Sequence, residues 1–424
     1  MADNEPCLTV TWLIEFDYPS RHHNGGTLRF LNYSRELMAR GHRVHTVYSV
    51  DPAHSAATAE WLRELQNAGV ITSFASIGTP EPSRWQLRAG KLLVHPALRN
   101  YLLRTPLAET TGKFRAILQE HKSDLFVLSS RKFYFLSRTL AGDATCVIDF
   151  CDSQSLYFFR QAKHSFTGRE WRKALYSIRR MSGEALIERY YSRSAALSVV
   201  VSPVDREVLN RINGSPQKNI VVLNGVTGPK PGAASEKVPD QIIFSGNMDF
   251  PPNYQSAIWL IDRIFPLVLE RVPGATLVIA GANPVAELKS RENATIKIAG
   301  FVEDLPGLIA ASRLYVAPMV SGGGFKNKVV EAISSGTYVV ATPVGVEFLS
   351  PELRSLLSVA STPEDLADSI VSALRDPVAT EARVEQLRET IGREFSWSRS
   401  AENLLSVLRR AAATRTHLPR TQSP

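Results

Sequence analysis

Both halves of the chain alternate short apolar runs with longer stretches of helical spacing, and this alternation limits the fold more than any other feature. In the first half, LTVTWLIEF (Leu8–Phe16), HRVHTVYSV (His42–Val50), DLFVLSS (Asp124–Ser130), ATCVIDF (Ala144–Phe150), ALSVVVSP (Ala196–Pro203) and NIVVLNGV (Asn219–Val226) are apolar and rich in β-branched residues. They are too short for helices and read as buried strands. Between the first two lies TLRFLNYSRELMARG, apolar at helical spacing (Leu28, Leu31, Leu37, Met38) and stopped by Gly41. Strand, helix and strand make a βαβ unit with a right-handed crossover. The second half repeats the pattern with QIIFSGNM (Gln241–Met248), ATLVIAG (Ala275–Gly281), TIKIAGF (Thr295–Phe301), LYVAPMV (Leu314–Val320) and TYVVATPVG (Thr337–Gly345). NYQSAIWLIDRIFPLVLERVPG reads as a helix kinked or divided at Pro266, and Thr362-Pro363 as the cap of another.

Such alternation predicts an α/β protein of two doubly wound, Rossmann-like domains facing across a cleft, with ligands beyond the carboxyl ends of the strands. A length of 424 residues fits two cores. The Pro/Gly/Ser-rich stretch TGPKPGAASEKVPD reads as the linker. The expected division is 1–226 for the first domain, 227–240 for the linker, 241–393 for the second domain, 394–412 for a last helix and 413–424 for a frayed tail.

Hydrophobic residues make up 44% of the chain and charged ones 21%, as in globular proteins. Cys7, Cys146 and Cys151 form no CxxC pair, which argues against a disulfide framework or zinc site and suits a reducing cytosol. The N-terminus is acidic where a signal peptide would be basic, and no run of about 18 apolar residues occurs. A cytoplasmic protein is expected.

The stretch SGGGFKNKVVEAISSG (Ser321–Gly336) carries the strongest chemical signal. Gly322, Gly323 and Gly324 fall between a strand and a helix of about three turns, where glycine allows a ligand close to the main chain. The helix start offers unpaired N–H groups and a positive dipole end, so it suits an anion. Lys326 and Lys328 add two cations. Glu331 is an acceptor that suits the adjacent hydroxyls of a ribose rather than a phosphate. Together these describe a site for a nucleoside diphosphate. The alternative is an ordinary strand-to-helix turn with surface lysines, which the combination of three glycines, two cations and a phased glutamate makes the weaker reading. The spacing is not that of a P-loop.

The segment GGGFKNKVVEAISSGTYVVATPVGVE resembles the donor-binding segment of retaining glycosyltransferases of the GT-B fold, those of glycosyltransferase family 4. FSGNMDFPPNYQSAIWLI is similar to the start of the second domain in bacterial exopolysaccharide-cluster members, and VPGATLVIAG, IKIAGFVEDLPGLIAASRLYVAP, VVVSPVDREVL, NGGTLRFLNYSRELMARGHRV and VIDFCDSQS also fit. Residues 52–120 match poorly. The resemblance implies transfer of a sugar from a nucleotide diphosphate sugar to a glycan, lipid-linked or small-molecule hydroxyl, with retention at the anomeric carbon, in polysaccharide or glycoconjugate synthesis. It implies no metal and no other cofactor, protein cations taking up the leaving charge instead. Lys326 and Lys328 would bind the diphosphate and Glu331 the ribose. Gly322, Gly323, Gly324, Phe325 and Asn327 would line the donor, with Gly246 and Asn247 at the end of the second domain's first strand. Gly25 and Gly26 would form the first-domain loop under the reacting centre, with Arg29 behind them and Asp149 and Asp152 facing the acceptor. The last helix would cross back to the first domain. Gly323 stands where many members have a first glutamate, Lys326 where many have arginine, and Thr227 where an aspartate is usual.

Several other features have two readings. Asp149 and Asp152 form a carboxylate pair, yet Asp152 or Ser153 would equally cap a helix. His22 and His23 lie beside the glycine loop without a metal-ligand motif. Ser202 ends a strand, where capping is the simpler reading. The formal net charge is +8. No nucleic-acid-binding motif accompanies it, so nucleic acid is not expected as a partner. Two basic stretches, SRWQLRAGKLLVHPALRNYLLR and FFRQAKHSFTGREWRKALYSIRR, suit either the outer face of a core helix or peripheral contact with an anionic membrane. Rival functions are a nucleotide-sugar-binding protein that has lost transfer, and a sugar-nucleotide epimerase or phosphorylase on the same fold.

Overall fold

A computed structural model describes residues 6–16, 25–78, 104–226 and 236–414. His22 and His23, most of the first basic stretch, the linker residues 227–235 and the tail from 415 lie outside the described residues.

The chain forms two compact units, one of Met1–Phe159, Tyr176–Asn224 and Trp397–Pro424, the other of Arg160–Leu175 and Gly225–Ser396. Each is built on one parallel sheet with helices between successive strands. The first holds β1 (Thr9–Glu15), β2 (Arg43–Ser49), β3 (Ser73–Ser76), β4 (Leu125–Leu128), β5 (Thr145–Cys151), β6 (Leu197–Val200) and β7 (Asn219–Val221) in the order β3-β2-β1-β4-β5-β6-β7. The second holds β8 (Val238–Ser245), β9 (Thr276–Ala280), β10 (Ile296–Gly300), β11 (Ser312–Ala317), β12 (Tyr338–Ala341) and β13 (Ser358–Val359) in the order β10-β9-β8-β11-β12-β13. Both are doubly wound, with the order reversing at β1/β4 and at β8/β11.

The strands are apolar on both faces because helices cover both faces. Val10, Trp12 and Ile14 of β1 join one core cluster and Leu13 joins the other, as the two-residue period requires. The helix Trp397–Ala413 belongs to the first of these clusters through Trp397, Ala401, Leu404, Leu405 and Leu408. Trp397 meets Tyr33 edge-on at 5.5 Å. The last segment of the chain thus completes the core of the unit that the first strand begins.

Three local features differ from the sequence reading. The helix beginning at Pro251 is not divided at Pro266. It widens into a π-helical turn over Leu260–Ile264, and Pro266 then sits in the first turn of Phe265–Leu269, where its missing N–H costs little. The short strands β3 and β13 carry too little pattern to stand out. β8 begins at Val238, inside the stretch read as linker. The Thr362 cap is present, its side chain accepting from the Asp365 amide.

Candidate functional site

In the second unit the sheet reverses direction between β8 and β11, and the loops leaving their carboxyl ends diverge there. The glycine-rich stretch is the loop that leaves β11. Gly322 (φ 96°) and Gly324 (φ 72°) adopt left-handed backbone that other residues avoid, and this turns the chain back into the helix Asn327–Ser334. That helix is shorter than the expected three turns, and Gly336 (φ 79°) turns the chain just beyond its Ser335 cap.

Across the reversal, β8 is followed by Gly246 and β9 by Gly281. A Cβ on Gly281 would stand 1.7 Å from the Gly246 carbonyl oxygen, and one on Gly246 would stand 2.7 Å from both Lys328 Nζ and Asn253 Nδ2. Glycine here lets the two strand ends close against each other and leaves space for the Lys328 ammonium. Lys328 Nζ donates to Asn253 Oδ1 at 2.5 Å and lies 4.9 Å from the centre of the Phe244 ring. Asn253 Nδ2 in turn donates to the Asn247 carbonyl at 2.8 Å. Burial and the charge of Lys326 pull the Lys328 ammonium down to about 7, with Glu331 opposing them.

Glu331 lies on the next turn of the same helix and is half-buried. Its carboxylate has no hydrogen-bond partner among the described residues. Burial raises its pKa, and Lys328 offsets part of the rise.

Lys326 is arranged differently from Lys328. It is buried, and its ammonium turns back under its own loop to the carbonyls of Gly323 (2.8 Å) and Gly324 (3.0 Å), with Glu347 Oε1 at 3.5 Å. Phe325 packs its ring against Phe348 at 4.4 Å and Phe395 at 5.7 Å, and the Asn327 amide donates to the Phe325 carbonyl.

Arg160, which the sequence reading missed, completes the network. It lies on the helix Gln154–Thr167, donates to both oxygens of Glu347 at 2.7 and 2.6 Å, and reaches the Gly322 carbonyl at 2.5 Å. Gln161 beside it donates to Ser321 Oγ at 3.2 Å. The loop is therefore pinned at Ser321, Gly322, Gly323 and Gly324 by side chains that include two cations and one carboxylate.

In the first unit, Gly25 and Gly26 are exposed and form the first turn of the helix Gly25–Ala39 rather than a loop. Arg29, one turn on, is buried. It donates to Asp149 Oδ2 at 2.8 Å, the Tyr33 hydroxyl at 3.0 Å, the Val222 carbonyl at 2.9 Å and Asn224 Oδ1 at 2.7 Å. Burial alone would lower its pKa, but Asp149 and its other neighbours raise it. Asp149 also accepts from the Cys151 amide at 3.2 Å, at a residue of left-handed backbone (φ 54°). The pair thus ties the helix to the end of β5. Asp152 follows at the strand end, half-exposed. Ser153 Oγ accepts from the Leu156 amide, and Ser202 caps the helix Pro203–Asn213 by accepting from the Asp205 amide.

Residues 239–376 match the family model described as "Glycosyl transferases group 1". The phosphatidyl-myo-inositol mannosyltransferase of Mycobacterium leprae is 30% identical over 181 residues, 41% of this chain and 47% of that one. A 44.6 kDa protein from the cps region of Klebsiella pneumoniae is 30% identical over 115 residues, 25% of this chain and 30% of that one. The chain thus matches less than half the length of these relatives. Among solved structures, Anabaena HepE in complex with UDP and glucose aligns with a TM-score of 0.65 at 15% identity, over 95% of this chain and 99% of that one. Sucrose-phosphate synthase of Thermosynechococcus elongatus aligns with a TM-score of 0.66 at 16% identity, over 96% of this chain and all of that one. At these identities the structures bear on the fold alone. The chain has the GT-B fold of two Rossmann-like domains, and its residues 239–376 are similar to the group 1 glycosyl transferases.

Proposed function

We propose that the protein is a glycosyltransferase that moves a sugar from a nucleoside diphosphate sugar to a hydroxyl acceptor. The observation that carries this reading is Glu331. Its carboxylate lacks a hydrogen-bond partner among the described residues, one turn beyond Lys328 and beside the pinned glycine loop. An acceptor at this place suits the paired hydroxyls of a ribose, and the cation before it suits a diphosphate. The family match and the UDP bound by Anabaena HepE support the same reading.

In the reaction proposed, the bond between the anomeric carbon and the diphosphate oxygen breaks as the acceptor oxygen bonds to that carbon. The electron pair goes to the diphosphate, whose charge Lys328 and Lys326 offset with the amides around Gly323 and Gly324. The acceptor proton passes to the leaving phosphate, on the same face, so the configuration is retained. Protein cations serve where other enzymes use a metal. Gly246, Asn247, Phe325 and Asn327 shape the donor side. Gly25, Gly26 and Asp152 are proposed for the acceptor side, with Arg29 and Asp149 holding the framework beneath them. A polysaccharide or glycoconjugate product and a cytoplasmic location belong to the same proposal.

The test is calorimetry with UDP, GDP, ADP, CDP and dTDP, in chelator and without added metal. Tight binding of one of them supports the reading and names the donor class. Binding of none removes it. A nucleotide sugar consumed only when an acceptor is present separates a transferase from an epimerase or a silent binder.

A further inference from the structure

Helices on protein surfaces normally turn their large apolar side chains inward. Where the helices Gln154–Thr167 and Trp171–Ser194 meet, the arrangement is reversed. Trp171 is 63% exposed, Leu175 70% and Tyr176 59%, whereas Ala174 and Ser177 on the same helix are buried. At 100° per residue, Trp171, Arg172, Leu175, Tyr176 and Arg179 fall within an arc of about 140°, all exposed. On the preceding helix, Phe159 (53%), Lys163 and Phe166 (43%) stand at i, i+4 and i+7, and are likewise exposed.

The turn between the helices is built, not loose. Gly168 donates to the His164 carbonyl, Arg169 to that of Phe166, and Glu170 to that of Ser165 at 2.8 Å. Phe166 and Trp171 meet edge-on across it, with ring centres 5.6 Å apart.

The charges carried by these two helices around the rings are one-sided, although Glu287 of a neighbouring element also acts on Lys173. Glu170 is the one acidic residue from 154 to 183, and Lys173 neutralises it at 2.6 Å. Arg160 is held by Glu347, and Arg180 by Glu184. The side chains of Lys163, Arg169, Arg172 and Arg179 have no carboxylate partner among the described residues. Four uncompensated cations thus surround a rigid apolar tip.

We propose that this helical hairpin is a docking element for the surface of a bilayer that contains anionic lipid. Such a surface offers phosphate at the level of the cations and acyl chains beneath, where Trp171, Phe166 and Leu175 would insert. The contact is peripheral, since among the described residues no helix is long and apolar enough to cross a membrane. This inference stands apart from the nucleotide reading, because it uses none of the residues of the glycine loop.

The test is co-sedimentation of the full chain with vesicles of phosphatidylcholine, alone or mixed with phosphatidylglycerol. The protein should pellet with the mixed vesicles and stay in solution with the neutral ones. Arg169→Gln, Arg172→Gln and Arg179→Gln together should weaken binding about a hundredfold, at about fivefold for each cation. Phe166→Ser, Trp171→Ser and Leu175→Ser together should abolish retention at high salt while leaving the thermal melt unchanged. Wild-type protein that ignores anionic vesicles overturns the proposal, as does wild-type affinity in the arginine variant. If the apolar variant instead splits a dimer in light scattering and still binds vesicles, the face joins two copies of the chain and the membrane assignment is wrong.

Discussion

Nucleotide binding should be linked to proton uptake by Lys328. In the free protein, burial and the charge of Lys326 hold this ammonium at about 7. Its other neighbours are the Asn253 amide oxygen at 2.5 Å, the Phe244 ring, and Glu331 on the next turn of its own helix. A diphosphate beside it would supply the missing negative charge and return it toward the ordinary lysine value of about 10.4. Above neutral pH the free protein then carries Lys328 uncharged and the complex carries it charged. Binding therefore takes up a proton and weakens as pH rises. The slope approaches about tenfold per pH unit, about 1.4 kcal/mol, from roughly pH 7.5 upward. At about pH 6 and below the lysine is charged in both states and contributes almost no slope. The terminal phosphate, with a pKa near about 6, adds none above pH 7. Calorimetry at about pH 8.5 in two buffers of different ionisation heat should count close to one proton taken up. Lys328→Arg should abolish the slope, because a guanidinium stays charged throughout. Tight binding with neither pH slope nor buffer dependence would refute the argument. Failure of every nucleotide to bind would instead refute the site itself.

Glu331→Ala should weaken nucleoside diphosphate binding by about 1.5–3 kcal/mol, the worth of a hydrogen bond to a charged group, by calorimetry on the folded variant. An unchanged affinity would remove the ribose assignment. Arg160→Gln breaks a bidentate pair with Glu347 and a bond to the Gly322 carbonyl. It should lower stability by about 1–3 kcal/mol in urea melts and raise the donor KM more than it lowers kcat. Gly281→Ala puts a methyl carbon 1.7 Å from a backbone oxygen that cannot move aside. A loss of at least about 2–3 kcal/mol is expected, and a melt within about 0.5 kcal/mol of wild type would show that β8 and β9 do not close as described.

The two doubly wound sheets were legible in the sequence because a parallel strand covered on both faces is a continuous apolar run. The short strands were not. β3 and β13 span four and two residues and are half-exposed or exposed, so they carry no apolar signal. The helix from Pro251 was read as kinked or divided at Pro266, since proline removes a backbone donor. The π-helical turn that absorbs it depends on how Leu260, Ile261 and Ile264 pack into the core, which no local pattern reveals.

The same division runs through the site. Gly322, Gly324, Lys326, Lys328 and Glu331 lie within ten residues, and a chain that places them on one turn and helix brings them together by local geometry alone. What sets their chemistry comes from far away. Asn253, 75 residues from Lys328, accepts its hydrogen bond. Glu347 is joined to Arg160 across 187 residues. Sequence therefore marked Lys326 and Lys328 as two equivalent cations. The contacts make them unlike: Lys326 is bound to the carbonyls of its own loop, while Lys328 has one neutral acceptor and a pKa lowered to about 7. In the first unit, the family resemblance placed Arg29 behind a glycine loop and Asp149 toward the acceptor. Joined across 120 residues and buried together, they are committed to each other, which leaves Gly25 and Gly26 exposed and Asp152 half-exposed around them.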